Sequence, residues 1–215
     1  MLGVACTSGG DDASPEPTSP DVTSPDVTSA HAASADAVIS GFDESQSALP
    51  RSIAAIADSA DADPGAMRVA AVAALDATEP EQRFAAVYAL SLTASTKVPE
   101  SLAALHDIVV ASNITERLLA AGTLAALGVH EGVAALIEAL SSDEPLRNLD
   151  PPMTAWRYAR ANLLPAIAQD LGLSDAVDLQ SAKQAQAAWR TWWTENADAL
   201  TWNPELARYE GAGTP

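Results

Sequence analysis

The sequence predicts an all-α fold, an α-solenoid of about four helix pairs behind a disordered N-terminal tether. Three observations predict it. Of 215 residues, 47 are Ala and only ten are aromatic, and Ala is the best helix former and a poor strand residue. Beyond residue 37, apolar residues recur at helical spacing in short blocks separated by capping residues, giving about nine helices. The blocks also come in pairs, and a helix pair that recurs every 30 to 40 residues must stack on its neighbours because it cannot bury its own apolar face. No segment alternates well enough to define a strand.

Residues 7–37 are mostly Ser, Thr, Pro, Asp, Gly and Ala with almost nothing large and apolar, and the pentapeptide Thr18-Ser-Pro-Asp-Val22 is repeated at Thr23-Ser-Pro-Asp-Val27. Such a stretch cannot bury enough apolar surface to offset its ordering entropy, so it predicts disorder. As a flexible coil it spans ~30 Å on average. The first 50 residues hold eight acids and no Lys or Arg, while the remainder holds 21 acids and 11 bases. That composition break opens the helical body, read as 38–196, with 197–215 as a C-terminal cap and tail.

Four first helices begin alike, at Arg51, Arg83, Arg117 and Arg157. Each precedes a second helix, at about 65–76, 99–110, 130–141 and 182–196. The second helices align with Val69, Leu102 and Val133 in one core register and Val72, Leu105 and Leu136 in another. His106 falls in that alignment at the edge of the core, where a packed imidazole is expected. Local signals set the ends. Thr78-Glu-Pro-Glu81 and Asn113-Ile-Thr-Glu116 read as capping boxes. Asp63-Pro64 and Asp150-Pro151 read as a capping Asp before a Pro at the first helical position. Gly128 and Gly172 read as stops. Pro165 predicts a kink inside a helix from about 152 to 171.

The segment Arg117-Leu-Leu-Ala-Ala-Gly-Thr-Leu-Ala-Ala-Leu-Gly128, continued by Gly-Val-Ala-Ala-Leu-Ile-Glu-Ala-Leu140, resembles a HEAT-like repeat of the phycobilisome-lyase type. The resemblance is clear over 83–140, extends to 51–75 and loosens after 150. It implies a stack whose second helices line a concave face. Separately, Leu2-Gly3-Val4-Ala5-Cys6 resembles the end of a bacterial lipoprotein signal peptide. That resemblance implies lipidation of Cys6, a cell-envelope location and a lipid anchor carrying the tether; the alternative is a cytoplasmic protein. Cys6 is the only cysteine, so no intrachain disulfide forms.

Seven of the ten aromatics follow residue 155. Trp189, Trp192 and Trp193 fall at i, i+3 and i+4 and share a helix face. With Trp202 they form either an aromatic cap on the last repeat or a cleft for a glycan or peptide. The cap is favoured, because a terminal repeat must cover its outer face.

Chemistry is sparse. A net charge of −18 leaves no phosphate-neutralising surface and excludes nucleic acid as a partner. There is no nucleophile elbow and no phosphate loop, and the scattered His residues make no zinc pattern. An EF-hand starting at Asp61 would need an acid where Val72 stands. No catalytic residue, cofactor or metal is expected. What remains is a stripe of Glu100, Asp107, Glu131 and Glu138, aligned on the second helices and suited to a basic segment of another protein. The expectation is a non-enzymatic interaction scaffold or adaptor. The alternatives are an enzyme subunit similar to bilin lyases and a purely structural envelope spacer.

Overall fold

The structure, a computed structural model, describes residues 35–45 and 48–211. Cys6 and most of the tether lie outside these residues. Among the described residues there are nine helices and one two-stranded hairpin. They are α1 (35–40), α2 (Leu49–Ala62), α3 (Pro64–Ala74), α4 (Pro80–Thr93), α5 (Pro99–Ala111), α6 (Ile114–Ala126), α7 (His130–Ala139), α8 (Ala155–Ala166) and α9 (Leu179–Asn196). A 3₁₀ turn at Ala197–Ala199 then leads into β1 (Leu200–Asn203) and β2 (Arg208–Gly211), which pair antiparallel.

The protein is therefore mostly helical. The four Arg-led helices contact one another in order: α2 packs on α4, α4 on α6, and α6 on α8. Of the others, α3 packs mainly on α4, α5 on α6, α7 on both α6 and α8, and α9 on α7. Helix α6 sits at the centre and is buried nearly all round, through Leu118, Leu119, Ala120, Ala121, Gly122, Leu124 and Ala125. A helix apolar on every side must be enclosed, and this one is. Ala35, Ile39 and Phe42 are buried against the same core, with the Phe42 ring 5.5 Å from Phe84. Among the described residues, packing thus reaches back to residue 35, inside the segment whose composition reads as tether.

Several local signals act as chemistry dictates. Asp63 accepts a hydrogen bond from the Ala66 amide at 2.9 Å, with Pro64 in the first turn of α3. Asn113 caps α6 through its side-chain oxygen, which accepts from the Thr115 and Glu116 amides. Helix α6 ends in a Schellman motif: the Val129 amide donates to Leu124 O at 2.8 Å and the Gly128 amide to Ala125 O at 3.1 Å. Gly128 has φ +79°, which suits a residue without Cβ.

Other expectations are corrected. The chain does contain strands, at 200–203 and 208–211. Thr78 caps nothing; Pro80 at the first helical position makes Glu79 the cap residue, and no side chain bonds there. Glu116 turns away from its own helix terminus toward Arg83, so only half of that box forms. Asp150-Pro151 opens no helix: α8 starts at Ala155, and the bond at Pro151 is cis. Pro165 ends α8 within one residue rather than kinking a longer helix, since its ring nitrogen has no hydrogen to donate. Val69 and Val72 are exposed, because α3 turns Met67, Ala70 and Ala71 inward instead. Met67 is the larger, unbranched side chain and fills the space beside α4. His106 is not packed but mostly exposed.

Candidate functional site

The acidic residues of the second helices lie on α5 and α7. Glu100 and Asp107, seven residues apart on α5, are both exposed and make no ion pair among the described residues. The other two carboxylates are engaged. His106 reaches from α5 so that its Nε2 lies 2.8 Å from Glu131 Oε2. Arg190 of α9 grips Glu138, with Nε donating to Oε1 at 2.7 Å and Nη2 donating to Oε2. The structure thus splits the stripe into two acids without an ion-pair partner among the described residues and two in contact with side chains of neighbouring helices, Glu131 with His106 and Glu138 with Arg190. Beside Asp107 runs a shallow groove of about 370 Å³, floored by Leu102, Ala103, Leu124 and Val129, with His106 also at its edge.

The C-terminal aromatics form a continuous cluster. Helix α9 begins with a capping box in which Asp178 and Ser181 bond reciprocally, holding the Asp178 carboxyl below its ordinary range. Its inner face then presents Ala182, Ala185, Gln186 and Trp189, all buried. Gln186 donates to the carbonyls of Ile137 and Glu138, both at 2.9 Å, which also accept from the Leu140 amide and the Ser141 hydroxyl, and so ties α9 to the end of α7. Trp189 is fully buried, while Trp192 and Trp193 are half-buried. Ring centroids run 6.0 Å from Trp189 to Trp192, 6.4 Å to Trp193, 5.9 Å on to Tyr209 and 5.0 Å to Trp202. His130, the first residue of α7, enters the same cluster 5.3 Å from Trp193 and 5.1 Å from Tyr209.

Tyr209 is the hub of this cluster, and sequence reasoning did not single it out. It lies on β2, pairs with Trp202 across the hairpin, and bridges to Ile167 beyond α8. It is 1% exposed and its hydroxyl has no hydrogen-bond partner among the described residues. Burial pushes its phenol pKa up. Trp202 rests directly on Gly128, where a Cβ would come within 2.3 Å of its ring. The hairpin therefore covers the α6–α7 turn and the end of α8.

A third place was also missed, a cleft of about 330 Å³ between the first turns of α4 and α6. Glu116 lies at its base, 2% exposed, and Arg83 donates through Nε to both carboxylate oxygens at 3.2 and 3.3 Å. The 144–148 segment closes one side: the Arg147 amide donates to Thr115 Oγ1 at 3.0 Å. Asn148, at φ +56°, donates to Glu44 Oε2 at 2.9 Å. The signal available in the sequence was the Arg that opens each first helix, but nothing marked Arg83 as the one that finds a buried acid.

Among the described residues, no three His, Cys, Asp or Glu side chains gather as a metal site would require, and no helix is long and apolar enough to cross a membrane. No protein-family model matches the chain, and neither a curated protein nor a solved structure matches it.

Proposed function

We propose that the protein is a non-enzymatic adaptor, lipid-anchored at the cell envelope, that holds another protein by a basic segment laid along α5. The observation that carries this reading is the groove lined by Leu102, Ala103, Leu124 and Val129, with the unpaired acid Asp107 at its edge and the exposed Glu100 about two turns back along the same helix. An apolar seat with an acidic edge suits a segment that carries an apolar anchor beside Lys or Arg. The excess negative charge of the chain would speed its approach.

The scaffold in this reading is a HEAT-like solenoid of about four helix pairs. Its support is the succession of contacts along α2, α4, α6 and α8. Attachment through Cys6 rests on the resemblance of residues 2–6 to a lipoprotein signal peptide end, followed by a Ser/Thr/Pro/Asp tether.

Fluorescence anisotropy with a labelled Lys/Arg-rich peptide carrying a central Leu tests the adaptor. Binding should weaken steeply with added salt, and the double variant Glu100→Lys/Asp107→Lys should abolish it while leaving the melting temperature unchanged. Binding that ignores both salt and the double variant overturns the reading. Cys6→Ser tests the anchor separately: the variant should move from the membrane to the soluble fraction of cells, and an unchanged distribution refutes lipidation.

A further inference from the structure

We propose that the cleft between the first turns of α4 and α6 binds a small zwitterion, the carboxylate and amino groups of a free α-amino acid or of a dipeptide. The argument is an inventory of unspent hydrogen-bonding groups. Arg83 uses only Nε on Glu116, so its terminal amino groups make no hydrogen bond among the described residues. Asn113 spends its side-chain oxygen on the α6 amides, which leaves its amide hydrogens free to donate. Arg147 holds its place through its main-chain amide, and its guanidinium is exposed and unpaired among the described residues. Helix α4 begins with Pro80 and no side-chain cap, adding the positive end of a helix. These donors line one cleft and suit a carboxylate, which guanidinium groups recognise best.

A bare anion is not matched, however. The lining holds two guanidinium groups, Arg83 and Arg147, against three carboxylates, Glu44, Glu116 and Glu144, in a chain of net charge −18. Glu116 is consumed by Arg83. Glu144 has no side-chain partner among the described residues, and Glu44 has only the neutral amide of Asn148. Those two acids call for an ammonium group on the same ligand. Phe84 and Ile114 supply an apolar wall for a side chain. The volume is at the small end for ligand sites, which run from about 300 Å³ upward.

Isothermal titration of the full chain with L-leucine and with Leu-Leu tests this, and the tighter of the two identifies the source of the zwitterion. L-leucinamide, which lacks the carboxylate, and N-acetyl-L-leucine, which lacks the ammonium, should each bind at least about tenfold more weakly. Arg147→Ala should weaken leucine binding by a similar factor with no change in melting temperature, since the loop is held by the main chain of that residue. Glu144→Gln repeats the test from the ammonium side. No heat with either leucine or Leu-Leu at about 10 mM overturns the proposal, as does equal affinity for the blocked compounds or for both variants.

Discussion

The middle of the molecule and its C-terminal end are closed by opposite means. Where α7 crosses α6, the two helices meet almost backbone to backbone: a Cβ on Gly132 would lie 2.4 Å from Ala121 O and from Ala125 N. Ala and Gly hold this junction by taking up no room. At the other end the regular helix packing runs out, and large rings fill the irregular space between α7, α8 and α9. Close backbone approach gains many weak dispersion contacts and costs little side-chain entropy. Aromatic packing gains more per residue but requires each ring to be placed by several elements at once. The middle should therefore resist enlargement and the end should resist truncation.

The largest expected effect is truncation at the end. Trp189→Ala should destabilise by ~3–5 kcal/mol, as removal of a fully buried ring does, and chemical denaturation measures it. A loss below about 1 kcal/mol would mean the cluster is decoration rather than core. Enlargement in the middle comes next. Gly132→Ala should cost ~1–3 kcal/mol through overpacking, against the usual gain from Gly→Ala inside a helix. A stabilised Gly132→Ala variant would show that α6 and α7 can separate freely.

The two left-handed glycines sharpen the contrast further. Gly172 has φ +80° with open space around it, whereas Gly128 has nearly the same φ but faces Trp202. Ala at Gly172 should cost ~1–2 kcal/mol from backbone strain alone. Ala at Gly128 adds displacement of the Trp202 ring and should cost more. Tryptophan emission should shift to the red at Gly128→Ala and stay unchanged at Gly172→Ala. Equal costs and equal spectra would detach the hairpin from the fold.

Each region also holds a tyrosine that burial keeps neutral. Tyr158 of α8 is pushed up to about 12, and Tyr209 is raised as well. Because the folded values lie above the unfolded phenol value of about 10, their stabilisation is intact below that pH. It is lost as pH climbs through the folded values. In a Tyr88→Phe background, tyrosinate absorbance should thus rise together with loss of helical circular dichroism above about pH 10; ionisation well before unfolding would contradict the burial of both rings. Tyr209→Phe removes a buried hydroxyl that has no partner and should be neutral or stabilising. The smallest effect belongs to Arg190→Ala. Its pair with Glu138 is solvent-exposed on both sides, so the melting temperature should not move.

The sequence by itself determined what depends on neighbours within a turn or two. Helical class, the Asp63 and Asn113 caps, the Gly128 stop and the shared face of Trp189, Trp192 and Trp193 all follow from bonds or spacings of about one to seven residues. The hairpin escaped notice because each strand has only four residues and its turn carries no Asn-Gly signature. It is built instead by Asn203, whose side-chain oxygen accepts from the Glu205 and Leu206 amides, and by Ala207 at φ +48°. Tertiary structure alone decided the rest. It chose Arg83 for Glu116 across 33 residues, His106 for Glu131, Trp202 for Gly128, and Met67 over Val69 for the core. Such choices are settled by which side chains fill the same space once the helices pack. A helical period fixes the face of a segment but not the partner it meets or the small rotation that best fills the gap.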